Sequence, residues 1–124
     1  EFYFHEQGIF LVATLQDKVV GTIACNKLNR NVFVLKRMFV KKSKRGQGIA
    51  QMLLDALFSS LVEREKGTQF SIFLSTKESQ AIAAKAFYLK NKFQEVKKSQ
   101  LPENFPFFYE DDLFMRKDVN GCFS

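Results

Sequence analysis

The sequence predicts a mixed α+β fold, a single sheet of antiparallel and parallel strands with helices packed against it. Three observations carry that prediction. Three β-rich runs come first, at Gly8–Gln16, Val19–Asn26 and Val32–Val40. The apolar period then changes from that of a strand to that of a helix between Gly48 and Lys66. Only two helical stretches follow the strands, so the order is not the regular βαβαβ repeat of a doubly wound sheet.

Each element has a local reason. GIFLVATLQ and VVGTIACN flank the polar turn Gln16-Asp17-Lys18, which predicts a hairpin. Asn29-Arg30-Asn31 is a second polar turn, and VFVLKRMFV after it is β-branched and aromatic. Strict alternation along this strand places Val34, Lys36 and Met38 on one face, with Phe33, Leu35, Arg37 and Phe39 on the other. The first helix carries Ile49, Leu53, Leu57 and Leu61 at helical spacing, with Met52, Leu54, Ala56 and Val62 alongside, and Gly67 as a candidate C-cap. FSIFLS (70–75) reads as a short buried strand. Ser75-Thr76-Lys77-Glu78 has the capping-box pattern, predicting a helix from there to about Asn91 with Ile82, Ala83, Ala86, Phe87 and Leu89 toward the core. FQEVKK (93–98) and DLFMRK (112–117) read as closing strands, separated by an irregular loop that carries both prolines.

With 124 residues, 46% of them hydrophobic and 26% charged, the chain fits one ordered domain over 1–124. No apolar run approaches the ~20 residues of a membrane helix. No signal-peptide pattern opens the chain, and a cytoplasmic location is expected. One histidine, His5, and two cysteines, Cys25 and Cys122, are too few for a zinc site, and no metal is expected. The two cysteines read as incidental thiols. The net charge of +6 favours an anionic partner, and six basic residues lie between Lys36 and Arg45.

Gly46-Gln47-Gly48 follows that basic cluster and opens the first helix. Glycines there turn successive N–H groups toward one point, and the helix N-terminus adds unpaired donors and a positive dipole end. The combination suits a phosphate or pyrophosphate. No Lys-Ser or Lys-Thr follows the glycines as a P-loop requires, and the dinucleotide fingerprint GxGxxG fails at Gln51.

Arg45-Gly46-Gln47-Gly48-Ile49-Ala50 resembles the Gln/Arg-x-x-Gly-x-Gly/Ala signature of the GCN5-related N-acetyltransferases (GNAT). Further on, Ala84-Lys85-Ala86-Phe87-Tyr88-Leu89-Lys90-Asn91-Lys92-Phe93 is similar to the family's Ala-x-x-hydrophobic-Tyr-x-x-x-Gly-Phe segment. The resemblance spans roughly residues 10–117. It implies a V-shaped sheet that splays between the strand ending at Val40 and the strand 70–75, with acetyl-coenzyme A lying in the split. It further implies that the backbone of Met38, Phe39 and Val40 holds the pantetheine arm. The amides from Arg45 through Gly46, Gln47, Gly48 and Ile49 to Ala50 would hold the pyrophosphate. Tyr88 would protonate the departing thiolate. On a helix Ala81, Ala84 (or Lys85) and Tyr88 share a face, and the small alanines leave a strip beside the phenol.

The sequence departs from the family pattern at several points. Ala81 stands where many relatives have an asparagine that contacts the coenzyme. Lys92 stands where the motif has glycine, and a shift of the left-handed turn to Asn91 would relieve the strain. The long strand carries no carboxylate to serve as a base; His5, Glu6, Glu110 and Asp111 are candidates elsewhere, and none is singled out. Few residues precede Gly8, so the usual N-terminal strand and helices of the family are expected to be missing. The implied activity is direct acetyl transfer to a primary amine on a small molecule or peptide. The alternatives are a non-catalytic acyl-coenzyme A binding or interaction module and, from the charge alone, nucleic-acid binding. No membrane partner is expected, and 15 phenylalanines with an exposed sheet edge suggest a homodimer.

Overall fold

Gln16 and Asp17 both take positive φ, 52° and 66°, the sense of twist that closes a two-residue hairpin turn. That turn joins β2 (Gly8–Leu15) to β3 (Lys18–Asn29), and β4 (Val32–Val40) pairs antiparallel with β3. A further strand, β1 (Phe2–Phe4), pairs antiparallel with β2. The computed structural model describes residues 8–120 in full and the backbone of residues 2–4; the candidate bases His5 and Glu6, and the thiol Cys122, lie outside the described residues. The expectation that no strand precedes the first hairpin is corrected by β1. Its three residues are too few for alternation to register in the sequence.

The chain then crosses the sheet through α1 (Ile49–Arg64) to β5 (Gln69–Thr76), which lies parallel to β4. After α2 (Ile82–Lys90) come β6 (Gln94–Val96) and β7 (Leu113–Asn120). Among the described residues the sheet has seven strands in the order β1-β2-β3-β4-β5-β7-β6. The mixed sheet expected from the element order is present. β7 inserts between β5 and β6 and pairs antiparallel with both.

The parallel pairing of β4 with β5 covers only Val32↔Ser71, Phe33↔Ile72 and Val34↔Phe73. Both strands continue past that point, to Val40 and Thr76, without pairing with each other. The sheet therefore opens there, and this split positions the site.

One face of the sheet is covered by both helices. Leu53, Leu54, Leu57 and Leu61 of α1 pack there with Ile23, Phe33, Leu35, Ile72, Leu74, Leu113 and Met115. Each fully buried leucine contributes about 1.5–3 kcal/mol through the apolar surface it removes from water. The opposite face carries a smaller cluster of Val34, Phe73 and Phe105, the last supplied by the loop between β6 and β7.

Three local expectations are corrected. The capping box does not form: β5 runs on through Thr76, held by Ser75↔Phe114 and Thr76↔Leu113, and α2 begins only at Ile82 after a short 3-10 turn. Ser75 Oγ donates to Asp111 Oδ2 (2.8 Å) and the Glu78 N–H donates to Asp112 Oδ1 (2.8 Å), so the loop before β7 caps this turn. The shorter α2 also turns a different face inward. Ile82 and Leu89 are 76% and 48% exposed, while Ala81 and Tyr88 are buried. Third, the left-handed turn stays at Lys92 (φ 74°), while Asn91 has φ −94°. Asn91 is held by its side chain instead, as described below.

Candidate active site

The geometry of the site begins with an irregularity in β4. Lys36 pairs with Ala24 and Phe39 with Thr22, so two residues, Arg37 and Met38, oppose the single residue Ile23. This is a β-bulge, and Arg37 takes φ 54° within it. The Thr22 hydroxyl donates to the Arg37 carbonyl at 2.6 Å and fixes the kink. A one-residue slip exchanges the faces of a strand. Met38 accordingly joins Phe33 and Leu35 on the helix-covered face, where strict alternation had placed it opposite them.

Past the bulge, a cleft of about 560 Å³ lies on that face. Its walls are the end of β4 (Met38, Phe39, Val40), the loop and first turn of α1 (Arg45, Gly46, Gly48, Ile49, Ala50) and the inner side of α2 (Ala81, Ala84, Tyr88). Of the residues singled out in the sequence, Gln47 alone is not in the lining. Lys44 and Gln51 line the cleft as well, although neither stood out in the sequence as a site residue.

The glycines fit their places. Gly46 and Gly48 have φ of 81° and 82°, and a Cβ built on either would meet nothing within 4 Å. Backbone conformation demands glycine at these positions, and the space in front of the backbone is open. Met52 donates the first intrahelical bond of α1, to the Gly48 carbonyl. Among the described residues no acceptor answers the N–H groups from Gly46 to Gln51. These donors and the dipole end of α1 have the chemistry that suits an anion. Arg45 reaches back, Nε donating to the Val40 carbonyl at 3.0 Å, and ties the loop to the end of β4.

A reciprocal amide pair sets the width of the cleft. Gln51 Nε2 donates to Asn91 Oδ1 (2.8 Å) and Asn91 Nδ2 donates to Gln51 Oε1 (3.2 Å), joining α1 to the C-terminal end of α2. Asn91 Nδ2 also donates to the Phe87 carbonyl, and Lys117 Nζ donates to the Asn91 carbonyl at 2.8 Å. Burial together with the charge of Lys92 lowers the pKa of Lys117 from its ordinary value.

Tyr88 is 6% exposed, its ring 5.6 Å from Phe87 and 5.3 Å from Phe93. It lines the cleft, and its hydroxyl has no partner among the described residues, yet it is not a buried unsatisfied group. The hydroxyl therefore opens into the cleft while the ring belongs to the core. Burial pushes the phenol above its ordinary range and keeps it protonated.

A second cavity, of about 510 Å³, lies on the other side of the bulge. Val34 to Arg37 of β4, Ser75 of β5, and Phe107, Phe108 and Asp111 of the late loop line it. Arg37 and Met38 are adjacent in sequence, and each lines a different cavity. The two spaces thus lie on either side of the same stretch of β4. Of the carboxylates weighed as bases, Asp111 lines this second cavity and Glu110 is exposed beside it.

Residues 6–95 match the family described as the acetyltransferase (GNAT) domain. The chain belongs to the GNAT family. An acetyltransferase of that family from Staphylococcus aureus Mu50 superposes with a TM-score of 0.82 at 34% identity, covering 90% of this chain and 68% of that one. An acetyltransferase from Streptococcus agalactiae gives 0.75 at 26% identity, covering 90% and 67%. The PaiA N-acetyltransferase from Thermoplasma acidophilum, solved with coenzyme A, gives 0.67 at 21% identity, covering 91% and 62%, and shares the fold. No curated protein sequence matches. The split sheet and the glycine loop at the start of α1 are thus elements of a GNAT fold. Among the described residues no helix is long and apolar enough to cross a membrane.

Proposed function

We propose that the chain is an N-acetyltransferase that carries an acetyl group from acetyl-coenzyme A directly to a primary amine. The observation that supports this most strongly is the meeting of three features in one cleft: the unanswered amides of Gly46 and of Gly48 to Gln51, the free edge at the end of β4, and the hydroxyl of Tyr88. Family membership and a coenzyme-bound relative of the same fold support it further.

The residues present fit the coenzyme. The expected set of amides loses Arg45, whose N–H donates to the Lys42 carbonyl; those from Gly46 to Ala50, with Lys44 nearby, would hold its pyrophosphate, and the backbone of Met38, Phe39 and Val40 would pair with the pantetheine arm as an added strand. Val40 contributes its N–H to this edge less its carbonyl, which Arg45 already occupies. The coenzyme supplies an activated acetyl thioester. An amide of β4 beside the bulge would polarise the acyl oxygen. The split between β4 and β5 admits the amine from the second cavity. The nitrogen gains the acyl carbon and gives up one proton to water, and the sulfur leaves as a thiol with the proton Tyr88 donates. Water then restores the proton to Tyr88.

The test is release of free thiol from acetyl-coenzyme A across a panel of amines, compared between the native chain and Tyr88→Phe. Amine-dependent release, strongly reduced in the variant, is expected. Saturable coenzyme binding with no transfer to any amine would favour a non-catalytic acyl-coenzyme A binding module. That second reading draws on Ala81 and on a β4 without a carboxylate.

A further inference from the structure

The second cavity holds unlike charges that do not pair with each other. Lys36 and Arg37 are in its lining, and no carboxylate lies within 4.0 Å of either among the described residues. Asp111 is in the lining too and is held in place through a single oxygen. Its Oδ2 accepts from the Ser75 hydroxyl at 2.8 Å and from the Phe108 N–H at 3.0 Å. No donor reaches its Oδ1 among the described residues. The cavity lining therefore holds two cations and a carboxylate with one free oxygen, all solvent-accessible.

The third wall is aromatic. Phe107 packs 6.4 Å from Phe105 and 5.8 Å from Phe114, so it is fixed, yet it stays 38% exposed. Phe108 beside it is 77% exposed. Two partly exposed phenylalanines beside these charges, Phe107 with Lys98 Nζ 4.8 Å from its ring centre, form a surface suited to an apolar group with a charged end.

We propose that the acceptor is a free α-amino acid with an aromatic or large apolar side chain. Its ammonium group would meet Asp111 Oδ1, its carboxylate would meet Lys36 and Arg37, and its side chain would lie against Phe107 and Phe108. The amine, after losing a proton to water, attacks the acyl carbon through the split beside Arg37. A peptide N-terminus lacks the adjacent carboxylate, and a polyamine lacks both the carboxylate and the apolar group. This proposal rests on the acetyltransferase reading for its chemistry, although the recognition it describes can be measured without turnover.

The probes are L-phenylalanine, L-phenylalaninamide and phenethylamine, titrated directly against the native chain with and without coenzyme A. Phenylalanine is expected to bind about tenfold or more tightly than either analogue, the size of a lost charge-assisted hydrogen bond. Lys36→Gln combined with Arg37→Gln should abolish that preference, and Asp111→Asn should weaken all three probes. Both analogues binding as tightly as phenylalanine would overturn the proposal, as would no binding by a folded chain. Thiol release from acetyl-coenzyme A with phenethylamine as good an acceptor as phenylalanine would overturn this proposal and leave acetyl transfer standing. Absence of thiol release with every amine, alongside retained preference for phenylalanine, would overturn acetyl transfer and support the recognition.

Discussion

In the proposed mechanism Tyr88 joins a core position to a reactive one, because its ring is enclosed and only its oxygen opens to the cleft. Tyr88→Phe therefore keeps the packing and removes only the proton donor. Turnover is expected to fall by about a hundredfold or more, the usual range for a general acid, with acetyl-coenzyme A affinity retained; steady-state thiol release and calorimetry separate the two. Unchanged turnover would remove Tyr88 from the mechanism. Cys25 gives a pH-dependent counterpart. Burial, opposed in part by the charge of Arg64 and the Ile9 backbone N–H, raises its thiol from 9.0 to about 12. The unfolded thiol ionises first, so this contribution is complete below pH 9 and is lost as the pH rises toward 12, by at most about 1.4 kcal/mol per unit. Denaturant unfolding at pH 8 and pH 10 should show the decline, and Cys25→Ala should make it shallower. The sequence makes the glycine loop legible because only glycine occupies φ near 80° there without strain. It hides the orientation of Met38, because a bulge leaves no mark in an apolar run.

At the scale of elements, two contacts set the cleft. α1 lies so close to β3 that a Cβ on Gly21 would stand 3.0 Å from Leu53 Cδ1 and 3.1 Å from both Ile49 Cγ2 and the Phe39 carbonyl. Gly21→Val should cost about 1–3 kcal/mol of stability and displace the first turn of α1, weakening coenzyme binding as well; unfolding curves and titration check each part. Asn91→Ala cuts the bond between α1 and α2 and the helix-end bond to Phe87. It should destabilise by about 1–3 kcal/mol and increase amide hydrogen exchange in the last turn of α2. Helix α1 is legible because its four buried leucines follow one stripe. The start of α2 is not, since a local capping pattern at Ser75 yields to the ladder between β5 and β7 and to the side chains of Asp111 and Asp112. Tertiary partners outweigh a cap worth about 1 kcal/mol. The inner face of α2 is hidden for the same reason: apolar residues stand on every side of this short helix, and packing alone selects Ala81 and Tyr88.

For the whole molecule, element order was enough to indicate a mixed sheet with a helical crossover, because the strand-rich start and the change of period leave few right-handed connections. The insertion of β7 between β5 and β6 pairs strands distant in sequence, which local pattern does not encode. The charge also acts at this scale. A chain of net +6 with lysines and arginines between Lys36 and Arg45 should bind a polyphosphate ligand more weakly as salt rises. The central claim is that the loop from Arg45 to Ala50 holds the phosphates of acetyl-coenzyme A. It is tested most directly by calorimetric titration of the chain with acetyl-coenzyme A and, in parallel, with S-acetylpantetheine, which lacks those phosphates. Saturable binding of the first and much weaker binding of the second is the predicted result. Equal affinity for the two, or no binding of acetyl-coenzyme A by the folded chain, would contradict it.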